Sequence, residues 1–493
     1  MSLARTVAWN SGVQVGGRLV GLLASLFFNA LLIRHLGIAT FGQFTAASVY
    51  VGLFMILGES GLYLVSVRRA MQEPELRGRI LGTALGLRLL WTCIPLGLAF
   101  AIAQCIPVQR FPTYQPVVKL VIGIVALNEY IRLLSQFLTA VFRMHLRMDL
   151  AVIGEVGSRL VALAGILLVV HAGGGLVSVA LAFLAANAVN LAYAWVMAQR
   201  LEGLRPQLHR PVVGGLLRES VVVAGVLVLS LLRLQVGTFL LSLLRPAEDV
   251  GVYGVAIKVH EVLVTFPGLF IALLYPVLSR LASEDAAKLR HTFQRTFDVM
   301  VLAGVAVGLE IVVLAPHITA VLGETRATLP LRILALSLPS VFVGMSFSHL
   351  LLAEGRQAII LRLYSCLALA SLAANALLIP HYSYVAVATT SAVMETLVLL
   401  SLCTYWWRRG MQVQLRVLWA VPLAAAIGSG LLLLERSVLP SEALTLPARV
   451  AVLLVAGTLA FALFLGAAWR CGLVQTALWR SLLPGSARGA AVR

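Results

Sequence analysis

Long apolar stretches separated by short polar connections recur along the 493-residue chain. A helix needs about 20 consecutive apolar residues to cross a bilayer, and the pattern predicts about fourteen such helices. The predicted spans are 6–33, 42–66, 80–104, 117–140, 151–170, 176–198, 219–243, 252–277, 296–315, 329–353, 357–379, 384–406, 417–434 and 448–468. No stretch outside them is long enough for a soluble domain. We therefore expect an all-α polytopic membrane protein.

The first predicted helix carries polar and small residues along one face. At 3.6 residues per turn these positions share a stripe: Ser11, Gln14, Arg18, Gly21, Ser25 and Asn29. Arg18 lies near mid-membrane, where an arginine facing lipid costs about 2.5–3.5 kcal/mol on insertion scales. The stripe is therefore expected to face a wet or protein-lined interior, with helices gathered around a polar cavity.

The number of lysines and arginines alternates between high and low in successive connections between the predicted helices. With the N-terminus placed inside, 24 lysines and arginines fall on the inner side and eight on the opposite side. Short cytoplasmic loops of membrane proteins carry such an excess of cations. The pattern predicts that both termini are cytoplasmic.

The two halves of the chain look related. The first helical hairpin turns at residues 34–37 (Arg-His-Leu-Gly) and returns at 41–44 (Phe-Gly-Gln-Phe). The seventh helix ends at Arg245, and the chain returns at 250–253 (Val-Gly-Val-Tyr), about 209 residues after the first return. We expect two six-helix lobes, residues 1–200 and 201–410, with two further helices and a tail in 411–493. Repeats of this kind place the substrate between lobes.

Composition narrows the class. Hydrophobic residues make up 60% of the chain and charged residues 12%, against about 25% in a soluble protein. The net charge of +18 resides mostly in arginines of short loops, which favours contact with anionic lipid over nucleic acid. No lysine precedes a serine or threonine, which excludes a nucleotide-binding P-loop. The five cysteines form no CxxC, and the first apolar run is too long for a cleavable signal peptide.

Charged residues also occur inside the predicted helices. Six are cations: Arg18, Arg88, Arg132, Arg159, Arg233 and Lys258. Six are acids: Glu59, Glu129, Glu155, Glu261, Glu310 and Glu395. Three pairs have helical spacing and are expected to form ion pairs that make burial tolerable: Glu129 with Arg132, Glu155 with Arg159, and Lys258 with Glu261.

For three of these cations, Arg18, Arg88 and Arg233, the sequence has no acid at helical spacing on the same predicted span. Arg18 and Arg233 lie in the central halves of their spans, which favours anion binding in a cavity or pairing with another helix. Arg88 lies nearer the cytoplasmic end and could extend to the surface. Polar stripes on spans two, four and eight, the fourth holding Asn128, Arg132, Ser135 and Thr139, favour a cavity.

On these features the whole chain resembles the polysaccharide (O-antigen type) flippases of the multidrug/oligosaccharidyl-lipid/polysaccharide exporter superfamily. The resemblance rests on fourteen helices, on the 34–37, 41–44 and 250–253 motifs, and on Pro276 closing the eighth span. Such proteins move undecaprenyl-diphosphate-linked oligosaccharide from the inner to the outer leaflet by alternating access. The resemblance implies a flippase of the bacterial inner membrane, with no enzymatic activity and no cofactor.

By this resemblance, the residues expected to attract the diphosphate or acidic sugars are Arg18, Arg233 and Lys258. With the polar stripes, the expected cavity residues are Arg18, Arg233, Lys258, Arg88, Arg132, Gln14 and Asn29. Membrane carboxylates are candidates for coupling to a proton or sodium gradient: Glu59, Glu310 and Glu395. Expected partners are the lipid-linked oligosaccharide, membrane lipids, and a polysaccharide polymerase with its chain-length machinery.

Two other classes stay open. A cation-coupled multidrug exporter of the same superfamily usually has twelve helices and an acid-dominated cavity. A membrane glycosyltransferase or polymerase would need carboxylates in a sizeable extracytoplasmic loop, whereas the predicted loops here are short.

Overall fold

The computed structural model describes residues 16–17, 21, 24–59, 61–145, 147–410, 413–438 and 446–470. Side chains are described in these ranges other than at 59, 64, 221–234, 432–438, 446–448, 450–454, 465 and 469. The described ranges are helical throughout, apart from short connections, and contain no strand.

Fifteen α-helices occur in the described residues. They are α1 (Ala24–Leu36), α2 (Ile38–Glu59), α3 (Leu62–Gln72), α4 (Arg77–Cys105), α5 (Pro116–Met144), α6 (Met148–His171), α7 (Leu176–Glu202), α8 (Arg210–Leu244), α9 (Ala247–Glu284), α10 (Ala286–Leu322), α11 (Thr328–Leu336), α12 (Leu338–Ala353), α13 (Gln357–Arg408), α14 (Ala420–Val438) and α15 (Leu446–Arg470). Short 3₁₀ turns at Pro74–Leu76, Thr325–Ala327 and Leu415–Trp419 precede α4, α11 and α14.

The predicted fold class is confirmed. Seven of the described helices are long and apolar enough to cross a membrane, and the bent pair α11–α12 makes an eighth span. Helix α13 has 52 residues and contains two predicted spans. Each of the fourteen predicted apolar stretches overlaps a described helix, so the chain is a polytopic all-α membrane protein with about fourteen spans.

Two spans that were predicted to be continuous are broken. Gly61 separates α2 from α3 with a φ of 63°, a left-handed conformation that glycine adopts without steric cost. Helices α11 and α12 are bent by 40° at Ser337, where Pro339 removes a backbone donor from the first turn of α12. Hydropathy is continuous across both breaks, which is why the apolar pattern missed them.

The turn between the two spans in α13 was expected. The backbone turns at Ser383 (φ 50°, ψ −133°), between predicted spans 357–379 and 384–406. The Ser383 hydroxyl donates to the carboxylate of Asp249, the residue that Arg245 also contacts at 3.5 Å. The strained serine is thus held by a charged acceptor at the start of α9.

The described residues divide into two compact units. The first comprises those up to Gly254 together with Tyr364–Val387, and the second comprises Val255–Leu363 and those from Ala388 onward. The boundary differs from the predicted lobes, because residues 201–254 group with the first unit. The predicted lobes follow from a repeat in the sequence, whereas these two units are defined by contacts in the structure. The division into lobes 1–200 and 201–410, followed by the segment 411–493, therefore stays a prediction.

Helix α5 is central in the first unit, where α2, α4, α6 and α7 all pack against it. Its buried apolar face includes Val118, Val121 and Ile122, which pack with Tyr50 and Ala99. The Tyr50 hydroxyl donates to the Ala99 carbonyl at 2.9 Å, which satisfies the phenol within an apolar core. The polar face of α5 is left to line the cavities described below.

The starts of α2 and α9 pack backbone against backbone within the first unit. A Cβ on Gly42 would lie 1.7 Å from the carbonyl oxygen of Ala247, and one on Gly251 would lie 2.3 Å from the carbonyl oxygen of Ile38. Gly42 and Gly251 belong to the two return motifs recognised in the sequence. Small residues allow membrane helices to approach this closely.

The connection between α7 and α8 lies along α4. The backbone N–H of Gln207 donates to the Gly82 carbonyl at 3.1 Å, and the backbone N–H of His209 donates to Thr83 Oγ1 at 3.3 Å. A Cβ on Gly82 would lie 2.5 Å from the carbonyl oxygen of Arg205. The glycine therefore makes room for the extended segment, which fixes the start of α8 beside α4.

Candidate functional site

A polar cavity of about 630 Å³ lies within the first unit, between α1, α5, α6 and α7. This volume is within the range of small-molecule sites. Its lining comprises Ser25, Phe28, Asn29, Arg132, Ser135, Gln136, Thr139, Phe142, Arg143, Met148, Leu150, Ala151, Val152, Glu155, Ser158, Arg159, Ala162, Phe183, Ala186, Asn187, Asn190, Tyr193 and Ala194. We call it the main cavity.

Three arginines and one carboxylate are the charged residues of this described lining, so positive charge predominates. Arg132 pairs with Glu129 at 2.7 Å, and Arg159 pairs with Glu155 at 2.8 Å. The guanidinium of Arg143 lies 5.6 Å from the ring centroid of Tyr63 in α3, a cation–π contact. A guanidinium carries five N–H donors, from which an anion in the cavity can accept hydrogen bonds.

Arg159 connects α6 with Gly21, which precedes α1 in the chain. Its Nη1 donates to the Gly21 carbonyl at 2.9 Å, while its Nη2 is bound to Glu155. A Cβ on Gly21 would lie 2.6 Å from Nη2, so the absence of a side chain there lets the guanidinium reach the backbone at this position. The position of Arg159 in the cavity wall is therefore fixed by Glu155 of its own helix and by the backbone of Gly21.

Amide and aromatic side chains of α7 form another part of the wall. Asn187 donates to Asn128 Oδ1 at 2.9 Å. Asn190 Oδ1 and Tyr193 Cδ1 would lie 2.7 and 2.8 Å from a Cβ on Gly154, so this glycine lets both side chains stand close to α6. Amides, hydroxyls and an aromatic face beside guanidinium groups suit a ligand that carries both anionic and hydroxyl groups.

A second cavity of about 270 Å³ lies between α2, α5 and α8 in the same unit. It is lined by Ser48, Gly52, Met55, Ile56, Glu129, Arg132, Leu133 and Gln235. Gly52 admits the Gln235 amide, whose Nε2 would lie 3.3 Å from a Cβ at that position. Arg132 lines both cavities, whereas Glu129 lines this second cavity.

The three ion pairs predicted from helical spacing all form. Besides the two in α5 and α6, Lys258 Nζ lies 2.9 Å from Glu261 in α9. The main cavity thus contains two cations, Arg132 and Arg159, that are already paired with carboxylates of their own helices.

The structure places the other predicted cavity residues as follows. Asn29 lines the main cavity and donates to the Ser25 carbonyl at 2.8 Å. Lys258 lies in the second unit with its side chain 40% exposed. Arg88 is 1% exposed within α4 and is absent from the described lining of both cavities, so its predicted extension to the surface is wrong. Helix α4, which carries this buried side chain, packs against α5 and α2.

Several predictions fall beyond what the structure describes. Gln14 and Arg18 lie outside the described residues, and the side chains of Glu59 and Arg233 lie outside the described side chains. Their roles stay predictions.

The two remaining coupling candidates both lie in the second unit. Glu310 is half-buried where α10 packs on α15, and its Oε1 would lie 2.8 Å from a Cβ on Gly457. Glu395 in α13 acts electrostatically on His260 of α9. Coupling through either residue stays a prediction.

Sequence reasoning missed Arg143, Arg159 and the α7 amides as cavity residues. Arg143 was counted among loop cations because it lies near the end of a span, and Arg159 was treated as one half of a local ion pair. The polar stripe of α5 is the signal that could have found Arg143, since Arg132, Gln136, Thr139 and Arg143 follow one another at helical spacing.

Comparison with known proteins agrees with this architecture. The family model described as "Polysaccharide biosynthesis protein" matches residues 3–282, more than half of the chain. No curated protein sequence matches significantly.

Solved structures share the fold at low sequence identity. The lipid II flippase MurJ in an inward closed conformation has a TM-score of 0.75 at 13% identity, over 94% of this chain and 99% of that one. An inward-facing multidrug resistance MATE family transporter of the MOP superfamily has a TM-score of 0.66 at 14% identity, over 81% and 98%. An outward-facing MATE family transporter of that superfamily has a TM-score of 0.55 at 13% identity, over 83% and 96%.

These relatives are flippases and transporters, and structures of the shared fold exist in both inward-facing and outward-facing conformations. The chain belongs to the polysaccharide biosynthesis protein family, and it is a multi-pass membrane protein with the fold of MOP superfamily transporters.

Proposed function

We propose that the chain is a flippase that moves undecaprenyl-diphosphate-linked oligosaccharide from the cytoplasmic to the outer leaflet by alternating access. The observation that carries this proposal is the main cavity, in which Arg132, Arg143 and Arg159 face a polar volume within membrane helices. Family membership and the fold shared with a lipid II flippase support the same class of cargo.

The chemistry of the cavity fits a diphosphate attached to sugar. Arginine donates two parallel hydrogen bonds to phosphate, and a guanidinium is more weakly hydrated than an ammonium group. The amides of Asn187 and Asn190 can replace water around sugar hydroxyls. The polyprenyl chain would stay in lipid, so the protein has to shield only the polar headgroup from the hydrocarbon.

The remaining parts of the proposal concern the cell. The excess of arginines on one side supports a bacterial inner-membrane protein with both termini in the cytoplasm. A polysaccharide polymerase and its chain-length machinery would then act on the flipped product. A proton or sodium gradient would supply the driving force, since a membrane potential contributes about 2.3 kcal/mol per charge per 100 mV.

A cation-coupled multidrug exporter is the alternative from the same superfamily. The MATE family structures share the fold with this chain. The predominance of guanidinium groups in the main cavity opposes this alternative, because a cationic drug would be repelled there.

Reconstitution distinguishes the two functions. Full-length protein in proteoliposomes is expected to move a fluorescent undecaprenyl-diphosphate-linked oligosaccharide between leaflets, measured by quenching of the outer leaflet with dithionite. Protein-free liposomes are the control, and an organic cation such as ethidium is the second substrate. Transport of ethidium without movement of the lipid would contradict the proposal.

A further inference from the structure

The three arginines of the main cavity lie at two different depths. Helix α5 runs from Pro116 to Met144, and its 29 residues have a length of about 43 Å at about 1.5 Å per residue. A bilayer with its headgroup regions is about 40–45 Å thick, so Arg143, next to the last residue of α5, is expected at the level of the lipid headgroups. Arg132 precedes it by eleven residues, which places it about 16 Å farther into the membrane.

The neighbouring helices contribute to the deeper level. Helix α6 begins at Met148, a short connection after the end of α5, and Arg159 follows eleven residues later. Helix α7 ends at Glu202, whose carboxylate lies 3.4 Å from His145 at the end of α5, and Asn190 precedes Glu202 by twelve residues. Arg159 and Asn190 thus lie about 16–18 Å from these helix ends. We call Arg143 the surface end of the main cavity, and its deep end comprises Arg132, Glu155, Arg159, Asn187 and Asn190.

One diphosphate cannot occupy both ends. The side chains of a helix lean toward its N-terminus, so the guanidinium groups of Arg132 and Arg143 are displaced in the same direction and stay well separated. Two phosphorus atoms joined through one oxygen span much less than about 16 Å of helix rise. The polyprenyl chain stays in lipid, so the diphosphate attached to it comes first to the headgroup level. The glycan, on the other side of the diphosphate, is the part that can extend inward.

The deep end is poorly suited to phosphate. Arg132 is bound to Glu129 and Arg159 to Glu155, so each deep guanidinium already has a carboxylate beside it. Both Nη groups of Arg159 also donate, one to Glu155 and the other to the Gly21 carbonyl. A phosphate at this depth would be repelled by two carboxylates.

The surface end offers a cation without such competition. Glu155 is the carboxylate in the described lining of the main cavity, and it lies at the deep end. The contact described for Arg143 is with the ring of Tyr63. The donors of its guanidinium can therefore serve a diphosphate.

The deep end has the groups that bind sugar hydroxyls. A carboxylate accepts a hydrogen bond from a hydroxyl, a guanidinium donates one to it, and an amide side chain does both. The ring of Tyr193 adds an apolar face beside Asn190. Gly154 makes room for both side chains, since a Cβ there would lie 2.7 Å from Asn190 Oδ1 and 2.8 Å from Tyr193 Cδ1.

We propose that the main cavity binds its cargo in one direction, with the diphosphate at the surface end and sugar units at the deep end, and that Gly154 determines which sugars fit. The inference rests on the proposed function and assigns the two parts of that cargo to different residues. Alanine at position 154 would displace Asn190 and Tyr193, and it would leave Arg143 in place.

The experiment compares two ligands of the purified full-length protein in detergent. One is undecaprenyl diphosphate, and the other is the undecaprenyl-diphosphate-linked oligosaccharide extracted from the bacterium that encodes this chain. The parent is expected to bind the oligosaccharide-bearing lipid more tightly. Arg143→Ala is expected to raise both Kd values by the same factor, at least about tenfold.

Variants of the deep end are expected to affect one ligand only. Asn190→Ala is expected to raise the Kd of the oligosaccharide-bearing lipid by about 2- to 10-fold, the value of a neutral hydrogen bond, and to leave that of undecaprenyl diphosphate unchanged. Gly154→Ala is expected to act in the same way. Gly157→Ala is the matched control, because a Cβ there meets nothing within 4 Å. An unchanged Kd for undecaprenyl diphosphate also shows that each variant is folded.

The outcomes separate this inference from the function on which it rests. The inference alone is overturned if Asn190→Ala and Gly154→Ala weaken both ligands equally, or if they weaken neither. It is also overturned if Arg143→Ala weakens only the oligosaccharide-bearing lipid, because the diphosphate would then lie elsewhere. A parent that binds neither ligand overturns both the inference and the proposed function.

Discussion

Replacing Gly42 with alanine is expected to disrupt the contact between the starts of α2 and α9. The added Cβ would lie 1.7 Å from the Ala247 carbonyl oxygen and 2.8 Å from the Gly251 nitrogen, and neither backbone atom can move aside as a side chain would. Overpacking typically costs about 1–3 kcal/mol, and a clash with backbone belongs at the upper end of that range. We expect a lower unfolding temperature and a large loss of transport.

The reason for the loss of transport is conformational. In the proposed orientation this contact lies on the outer side of the membrane, and we expect alternating access to close and open this end of the protein. Alanine at position 42 would disfavour the closed state of this end. Transport is expected to fall at least as much as the population of the closed state. That population falls about tenfold for each 1.4 kcal/mol by which alanine destabilises the closed state.

Thiol labelling measures the separation directly. A cysteine replaces Thr45, which is 6% exposed beside Gly254, in a background whose five native cysteines are replaced by serine. Gly42→Ala is expected to make this cysteine react with a membrane-impermeant maleimide, whereas the parental background leaves it protected. Gly157→Ala is the matched control, because a Cβ there meets nothing within 4 Å. The account of this contact would be contradicted if Thr45→Cys stayed unlabelled in the presence of Gly42→Ala and if Gly42→Ala unfolded at the parental temperature.

Replacing Arg143 with alanine is expected to weaken binding of the diphosphate headgroup. Arg143 lines the main cavity, and its guanidinium makes a cation–π contact with Tyr63 at 5.6 Å from the ring centroid. A hydrogen bond to a charged group contributes about 1.5–3 kcal/mol, which corresponds to an increase in Kd of about 10- to 150-fold. Arg143→Lys keeps the charge without the bidentate geometry and is expected to fall between alanine and the parent.

A neighbouring arginine provides the control for Arg143. Arg147 is absent from the described lining of the main cavity and is paired with Asp149 at 3.0 Å. Titration of undecaprenyl diphosphate into each variant by calorimetry gives the two Kd values. Equal weakening by Arg143→Ala and Arg147→Ala would show that general surface charge, and not the main cavity, attracts the headgroup.

The pattern of apolar residues predicts most of the fold because the membrane imposes it. About 20 apolar residues per span and internal satisfaction of backbone hydrogen bonds leave a helix as the only choice for such segments. The breaks at Gly61 and Ser337 escape this argument, since they depend on local backbone conformation within uninterrupted hydropathy. The break at Gly61 also begins α3, the helix that supplies Tyr63 to Arg143.

The cavity could be predicted in part. The polar stripes placed Asn29, Arg132, Ser135 and Thr139 on inward faces, and all four line the main cavity. The contribution of Arg159 depends on its tertiary contact with Gly21, which no spacing along the chain reveals. The roles of Arg18 and Arg233 remain predictions from the sequence.

The central claim is that the guanidinium groups of the main cavity bind an anionic lipid headgroup. The most direct measurement is an experimental structure of the full-length protein in lipid nanodiscs with undecaprenyl-diphosphate-linked oligosaccharide. The account predicts phosphate oxygens within about 2.7–3.2 Å of guanidinium nitrogens of Arg132, Arg143 or Arg159. A headgroup bound elsewhere, with Arg132 still on Glu129, Arg159 still on Glu155 and the main cavity filled by water alone, would contradict it.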